Sequence, residues 1–528
     1  MTETGPKQPT AAVWRRHWRS ILAVFVLGIS SGFPWVLISS GMMAWLKATG
    51  YTRTEIGFYG LVFLAFSVNF LWSPLVDRLK VPFVHRAGQR RGWILAMQWV
   101  MAGACLVLAT VDPSDGLAPI KYLAFVIAAA AATQDIAIDA YRIELVEAGD
   151  DRHMALLSAM ATAGWWTGFS GLGALPFLLV DRFPGGWPAQ YGLMAFYLMV
   201  LACITLFLPR EKPHVPANHS DEAYVRRAQA LGPGVLHQAT FWFGAGFALW
   251  IWLAIGLPGI PATPLNNLLV FIAGLLAFVT CARLFFREDS VSASRVESTT
   301  LGPVDRVMAR TLATFAEPVR DFFQRTGVSL ALAILLFIFL FKIGEAFLGR
   351  MSIVFYKEVG FTDAEIGTYS KLISWWVTIA FSLLGGWVSA RYGLLKGLFS
   401  GGIAMAASNL MFAWLAFRGP DTTLLAAAVI VDGFTSAWST VAFVGFLSIL
   451  CSKTFSAAQY AALASLGTLG RTFLASYSGW VVDLMGGNWP AFFVLTALMV
   501  IPSLILLAFI RKRVQGHLDT LTAPTDNA

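Results

Sequence analysis

Charge is what this chain has least of. Only 13% of its 528 residues are Asp, Glu, Lys or Arg, about half the roughly 25% of a soluble globular domain. With 57% hydrophobic residues and many apolar runs of about 18 or more residues, that deficit excludes a soluble fold. It points to an all-α membrane protein with many spans. Cysteine is also scarce. Cys105, Cys203, Cys281 and Cys451 are far apart, which excludes a disulfide framework or a Cys-based metal motif; they read as small buried apolar side chains. Histidine is missing from the middle of every apolar run. His17, His85, His153, His214, His219, His237 and His517 fall in tails, loops or segment ends, so none is expected as a mid-membrane ligand or proton relay. No phosphate-binding loop, nucleophile motif or metal constellation stands out, which argues against an ATP-driven pump and against an enzyme. Neither a metal nor another cofactor is expected. The net charge of +8 is not interleaved with aromatics in a nucleic-acid patch, so the expected surroundings are a lipid bilayer.

Apolar segments run over about 20–46, 54–76, 92–111, 119–147, 153–180 and 190–208. A pair follows at about 236–256 and 265–285, then six more at about 326–356, 362–390, 395–417, 422–451, 456–482 and 489–511. Arg15, Arg16 and Arg19 precede the first run, which exceeds a signal-peptide core and lacks a convincing cleavage site, so it reads as a retained helix. The total of about fourteen is even, placing both termini on one side. Lys and Arg cluster in alternate loops: Arg78, Lys80, Arg86, Arg90 and Arg91 after the second segment, then Arg210 and Lys212, and Arg511 to Arg513 in the tail. By the positive-inside rule that side is cytoplasmic.

An internal repeat divides the chain. Gly50-Tyr51-Thr52-Arg53-Thr54-Glu55-Ile56-Gly57 is echoed by Gly360-Phe361-Thr362-Asp363-Ala364-Glu365-Ile366-Gly367, each Thr followed three residues later by Glu as in a helix capping box. Asp181…Gly185-Gly186-Trp187-Pro188 is likewise echoed by Asp483…Gly486-Gly487-Asn488-Trp489-Pro490. Two echoes in matching order predict two six-helix halves of parallel orientation, as in major facilitator transporters. The expected division is a tail over 1–19, one half over 20–210, a linker over 211–325, the other half over 326–511 and a tail over 512–528. The linker holds an extra hairpin (about 236–285), read as peripheral and lipid-facing with Asn266 and Asn267 at its watery tip, and an amphipathic surface stretch over 300–325.

Ionisable groups inside the bilayer are costly and tend to mark pathways. Asp135, Asp139 and Arg142 fall within about 60° of one another on one helical face of the fourth segment, with Gln134 next to them in sequence. Either they line a substrate or proton path, or they form a charge network between helices. In the second half Lys342 and Glu345 are three apart, close enough to neutralise one another; Arg350, Lys371, Asp432 and Arg471 follow, the last beside Gly467 and Gly470. Asn69 is a further polar candidate, and Trp35 and Trp438 are among the intramembrane tryptophans able to stack on a sugar or simply to pack. With no histidine available, a coupling proton would have to use a carboxylate, Asp135, Asp139, Glu345 or Asp432. Asp77-Arg78…Arg90-Arg91 resembles the Asp-Arg…Gly-Arg-Arg signature of major facilitators and reads as gating or structural, as do Arg142 and Arg471.

Taken together, Ser31-Gly32-Phe33-Pro34, Phe70-Leu71-Trp72-Ser73-Pro74, Arg90-Arg91-Gly92-Trp93, Gln134-Asp135…Asp139-Ala140, Lys342-Ile343-Gly344-Glu345-Ala346-Phe347, Ser370-Lys371-Leu372, Gly470-Arg471 and Ser478-Gly479-Trp480 resemble the AmpG muropeptide permeases of the major facilitator superfamily. That resemblance implies a multi-pass protein of the bacterial inner membrane. It implies import of N-acetylglucosaminyl-1,6-anhydro-N-acetylmuramic acid, with or without peptide, from periplasm to cytoplasm. Import would draw on the proton-motive force and serve peptidoglycan recycling and β-lactamase induction. Lys342, Arg350 and Lys371 would meet carboxylates, Gln134 and Asn69 would hydrogen-bond, and Trp35 or Trp438 would stack on a sugar. The competing readings are a drug-efflux antiporter, an acetyl-CoA carrier and a non-transporting sensor of the same fold. The topology is directly testable. A fluorescent-protein fusion at the C-terminus should be bright, and alkaline phosphatase inserted at 257–261 should be active; the reverse pattern would invert the assigned sides.

Overall fold

The computed structural model describes residues 10–73, 76, 79–82, 84–146, 150–210, 221–256, 263–286, 302, 319–381, 394–451 and 456–522. Among these residues the regular structure is helical throughout, with no strand. In chain order the elements are α1 (Arg16–Ala48), α2 (53–73), α3 (Gln89–Leu108), α4 (Leu117–Glu144), α5 (151–179) and α6 (Gly186–Leu206). The inserted hairpin is α7 (Asp221–Ile255) and α8 (Pro264–Phe286). The second set is α9 (Val328–Val359), α10 (363–381), α11 (Leu394–Arg418), α12 (Thr422–Leu450), α13 (456–484) and α14 (Trp489–Gly516). Several run past the apolar stretch that announces them: α7 begins well before 236, and helix continues from α14 to Thr522. Polar residues at a membrane surface can extend a helix that apolarity alone would end.

Ten of these helices are long and apolar enough to cross a bilayer. The other four, α2, α5, α10 and α13, are broken, so a count of fourteen holds only if they cross as well. In α2, 3-10 turns at Gly60–Phe63 and Asn69–Trp72 interrupt the α-helix. A π turn at Thr167–Gly171 and a 3-10 turn at Leu172–Ala174 interrupt α5. A π stretch at Ile366–Leu372 opens α10, and α13 breaks between Ala475 and Ser478. These are the helices along which the two halves meet, α2 against α13 and α5 against α10. Irregular turns inside helices commonly mark hinges and functional sites.

Between helices in lipid no hydrophobic effect drives association, so small residues that admit close van der Waals packing decide which helices pair. The most extensive inter-helix packing within the first half joins α1 to α5. Gly28 and Gly32 face Gly164 and Gly168 there: a Cβ at Gly28 would lie 2.6 Å from the Ala161 carbonyl oxygen, and one at Gly32 would run into that of Trp165. Both helices thus carry Gly-x-x-x-Gly toward each other, a signal present in the sequence that the polar-residue reading passed over. The outer belt is apolar. Phe207, Phe417 and Phe509 are more than three-quarters exposed, which suits contact with acyl chains.

The repeat has a physical content at both ends. Thr52 and Thr362 each accept from the backbone of Glu55 and Glu365, whose carboxylates return to the Thr backbone, so both expected capping boxes form. The glycines that close each repeat then serve the seams. A Cβ at Gly57 would lie 2.6 Å from the Ser476 carbonyl oxygen of α13, and one at Gly367 3.0 Å from Phe177 Cβ of α5.

The hairpin is peripheral, with only 28% of each apolar window buried, and it seats on a seam. Trp250 and Phe271 cluster with Phe58, Leu61 and Leu64 of α2 and Leu469 and Phe473 of α13. Phe271 stacks on Phe473 at 3.7 Å, and the Tyr477 hydroxyl donates to the Pro264 carbonyl at 2.9 Å. Asn267 departs from the sequence expectation: it is buried rather than facing water at the tip, because α8 starts at Pro264 and turns it inward. Residues 257–262 of the tip and most of the stretch 300–325 lie outside the described residues. Cys105 and Cys281 are buried, as expected, whereas Cys203 is exposed on the outer face of α6. Gly32→Leu is expected to destabilise the protein by about 1–3 kcal/mol or more through overpacking. Gly103→Ala, where an added Cβ meets nothing within 4 Å, should leave the melting temperature in detergent within error of the parent.

Candidate functional site

The two halves enclose a cavity of about 640 Å³. Its walls differ in chemistry. The first half supplies Trp35, Phe63, Trp165, Trp166 and Phe169 with Ser39, Ser40 and Ser170, and no ionisable group among the described residues. Among the described residues the charged lining side chains all come from the second half: Glu345 and Arg350 from α9, Lys371 from α10, Asp432 from α12 and Arg471 from α13. The aromatic wall is a packed cluster. Trp35 lies 4.4 Å from Phe66 and 5.9 Å from Trp165, and Trp165 stacks on Phe169 at 5.0 Å.

The polar wall is anchored where α9 breaks. The helix is interrupted at Phe341–Lys342, and Lys342 leaves helical geometry (φ −101°, ψ 12°). Its ammonium donates to Glu345 Oε2 at 2.5 Å, to Ser439 Oγ at 2.8 Å and to Thr440 Oγ1 at 2.9 Å. Ser436 donates to the other Glu345 oxygen at 2.9 Å, and Ser408 to Asp432 at 3.2 Å. Lys342 is buried, yet all three of its protons have acceptors; the carboxylate it holds reaches the cavity. Arg471 is exposed to the cavity and within electrostatic reach of Glu345.

Lys371 and Arg350 line the cavity with no anion in contact among the described residues. The Lys371 ammonium is buried, has no hydrogen bond or ion pair among the described residues, and sits 4.3 Å over the Phe169 ring. Both residues occupy π stretches, Lys371 on α10 and Phe169 on α5, so the two irregular turns face each other across the seam. Nearby, Trp375 donates to Thr167 Oγ1 at 3.1 Å. Arg350 reaches into the first half, 4.9 Å over the Phe63 ring, and its guanidinium occupies the space a side chain at Gly60 would need. Its Nε is buried without an acceptor. Cation–π contact recovers on the order of 0.5–2 kcal/mol, less than desolvating an unpaired charge costs. Such a wall is chemically poised for an anionic ligand.

The fourth-segment residues lie elsewhere. Gln134 is fully buried and ties α4 to α1, its Nε2 donating to the Ser30 carbonyl at 2.9 Å, while Gln98 donates to Ser30 Oγ at 2.8 Å. Asp135 accepts from Ser31 Oγ at 2.6 Å. Asp139 pairs with Arg142 at 3.1 Å, is 65% exposed, and lies within electrostatic reach of Tyr460 on α13. None of these lines the cavity, and neither do Asn69 and Trp438. Arg90 is buried and pairs with Glu144 at 2.9 Å; Arg91 donates to the Leu208 carbonyl at 2.8 Å. Asp77 and Arg78 lie outside the described residues.

A cluster not singled out from sequence clasps the halves at the end where loops 49–52, 360–362 and 485–488 meet. Arg53 donates to Glu358 at 2.8 Å through Nη2 and to Asp483 at 2.9 Å through Nη1. Glu358 also takes Lys47 at 2.5 Å and the Trp489 indole N–H at 2.9 Å. Arg53 and Asp483 both stand inside the echoed motifs, but their opposite charge at matching membrane depth was the signal needed.

Comparison with known proteins agrees with this architecture. A family model described as acetyl-coenzyme A transporter 1 matches residues 20–116. The chain is 27% identical to the putative transporter AmpG 4 of Rickettsia conorii, covering 94% of this chain and 97% of that one. It is 28% identical to the anhydromuropeptide permease of Escherichia coli, covering 93% and 80%. Among solved structures, the POT family transporter PepTSo aligns with a TM-score of 0.63 at 13% identity, covering 97% of this chain and 99% of that one. The nucleoside transporter NupG aligns with a TM-score of 0.58 at 15% identity, covering 94% and 99%. The fold is therefore the major facilitator fold, in a multi-pass membrane protein.

Lys342→Met would strand Glu345 beside Asp432. It is expected to cost about 2–3 kcal/mol, below the 3–5 typical of fully buried pairs, because Glu345 reaches cavity water. Combining it with Glu345→Gln should recover at least half of that loss in a detergent melting experiment.

Proposed function

We propose, from its homology to AmpG-type permeases along nearly the whole chain, that this protein imports anhydromuropeptides across a bacterial inner membrane by alternating access. The observation that carries the substrate class is the two-faced cavity. An anhydro-disaccharide presents apolar C–H faces that stack on aromatic rings, and its peptide carries carboxylates. The Trp35–Trp165–Phe169 wall suits the first, and Lys371 and Arg350, each without an acidic partner among the described residues, suit the second. Charge-assisted hydrogen bonds from these cations would contribute on the order of 1.5–3 kcal/mol each.

The clasp through Arg53 joins the halves at one end, while at the other end, among the described residues, the Arg90–Glu144 pair lies within the first half and Arg325–Asp321 lies at the end of the linker. With both termini cytoplasmic, this is an inward-facing arrangement closed to the periplasm. Import then requires the clasp to open outward, substrate to settle against both walls, and the halves to rock about the seams. A proton would travel on a carboxylate. Glu345 and Asp432 are placed best, since they share the cavity with the substrate cations and lie within electrostatic reach of one another. Asp135 and Asp139, on the α4 face, are the alternative route.

One observation favours a second reading. The match of residues 20–116 to an acetyl-coenzyme A transporter model fits a carrier of that anionic thioester. Uptake into right-side-out vesicles separates the two. Labelled anhydromuropeptide should accumulate with an imposed inward proton gradient and fail to do so with an uncoupler, and labelled acetyl-CoA should not accumulate. Lys371→Met and Arg350→Met should each raise KM by roughly tenfold or more, matching the loss of one charge-assisted contact. Glu345→Gln or Asp432→Asn should abolish gradient-driven accumulation while leaving substrate exchange. Wild-type accumulation by both, and by Asp135→Asn and Asp139→Asn, would remove carboxylates from the coupling role.

A further inference from the structure

Two histidines that sequence places in a tail and at a segment end meet in space. His17, near the start of α1, departs from helical geometry (φ −118°, ψ 16°) inside an otherwise continuous helix. Its ring lies 3.9 Å from that of His153, in the first turn of α5. Asp150, the N-cap of the same helix, accepts from the His153 backbone at 3.1 Å. One ligand-capable atom from each of the three lies within 4.8 Å of the others. Ser20 orients the set: its hydroxyl donates to the His17 carbonyl at 2.8 Å, so at 2.9 Å it accepts from His153 Nε2. In the neutral His153 ring the lone pair is then on Nδ1, and an acceptor held on the other ring N–H is the usual outer support of a metal-bound imidazole.

We propose that His17, Asp150 and His153 bind one divalent cation of the zinc type, which pins α1 to α5 at the end of the bundle bearing the N-terminus. Two imidazoles and one carboxylate are a donor set that suits zinc with a water in the fourth position. Donors in a tetrahedral zinc site stand roughly 3.3–3.5 Å apart, given bonds of about 2.0–2.2 Å, so closure needs a contraction on the order of 1 Å. The location has a mechanical sense. The same two helices are already locked by facing glycines at Gly28, Gly32, Gly164 and Gly168, and the cation would extend that rigid pair beyond the membrane.

The test uses the full chain carrying a non-histidine tag, in lipid nanodiscs, stripped with EDTA. Co²⁺ is titrated as a spectroscopic probe, then displaced with Zn²⁺. One equivalent should bind, with visible absorption bands of a four- or five-coordinate ion, and Zn²⁺ should raise the melting temperature reversibly. His17→Gln and His153→Gln should each weaken binding by more than about tenfold, beyond the loss of an outer-shell support. Asp150→Asn keeps an oxygen to cap His153 N but loses the charge, so binding must weaken there too, which holds the proposal accountable should either histidine variant fail to fold. His237→Gln, on α7, should bind as the parent does. Absence of one-equivalent binding in the parent, or parental binding in Asp150→Asn and in the histidine variants that fold, would overturn the site.

Discussion

The closed end of this bundle depends on how nearly two backbones touch. Gly479 of α13 lies against the Arg53 carbonyl, and Gly57 of α2 against that of Ser476, so neither position has room for a side chain. Above that contact Arg53 bridges to Glu358 and Asp483. Magnitudes decide which matters more. The clasp side chains are roughly 15–34% exposed, and ion pairs of that kind contribute about 0.2–1 kcal/mol each. Seam packing is continuous over α2 and α13 and has no such screening. Packing therefore holds the end shut, while the charges fix which residue meets which and are the part that solvent can release.

Much of this was legible in the sequence for a simple reason: repeats and apolar runs record backbone needs. The Thr…Glu pairs of the two echoes announce capping boxes that do form at Thr52 and Thr362, and the paired glycines at 185–186 and 486–487 take positive φ at loops leading into α6 and α14. Charge position was harder to read. Asp135, Asp139 and Arg142 share a face as helical periodicity requires, but they and the adjacent Gln134 are satisfied through Ser30, Ser31 and the Asp139–Arg142 pair. A lone sequence cannot say whether a buried acid's partner comes from its own half or from a ligand. Lys371 shows the converse. It occupies a π stretch, and a π turn shifts every following side chain off the 3.6-residue register on which a face assignment rests.

Division of labour between the halves follows from this. The first half contributes aromatic surface and close helix packing, and the second contributes the cavity's charge among the described residues. Concentrating the ionisable groups in one half lets Lys342, Glu345, Asp432 and Arg471 interact within that half, so their mutual fields would persist through the proposed rocking of the halves. Lys371 and Arg350 break that rule by resting on rings of the opposite half. Those two contacts would have to change in the proposed opening of the cavity, which would couple ligand charge to the position of the halves.

The duplication also makes the two seams comparable, and they are not alike. Arg53 and Asp363 hold equivalent places after the capping threonines, with opposite charge. Asp181 and Asp483 are equivalent as well. At the α2–α13 seam Asp483 therefore meets a cation, and the hairpin is packed along the same seam through Phe271 and Trp250. At the α5–α10 seam Asp363 has Asp181 within electrostatic reach, and Lys357 of its own half, at 2.5 Å, offsets the repulsion. One seam is thus reinforced by opposite charge and by an added pair of helices, and the other brings like charges together. A symmetric scaffold with that charge pattern has an intrinsic preference for where it parts, because separating Asp181 from Asp363 relieves repulsion while separating Arg53 from Asp483 breaks an attraction.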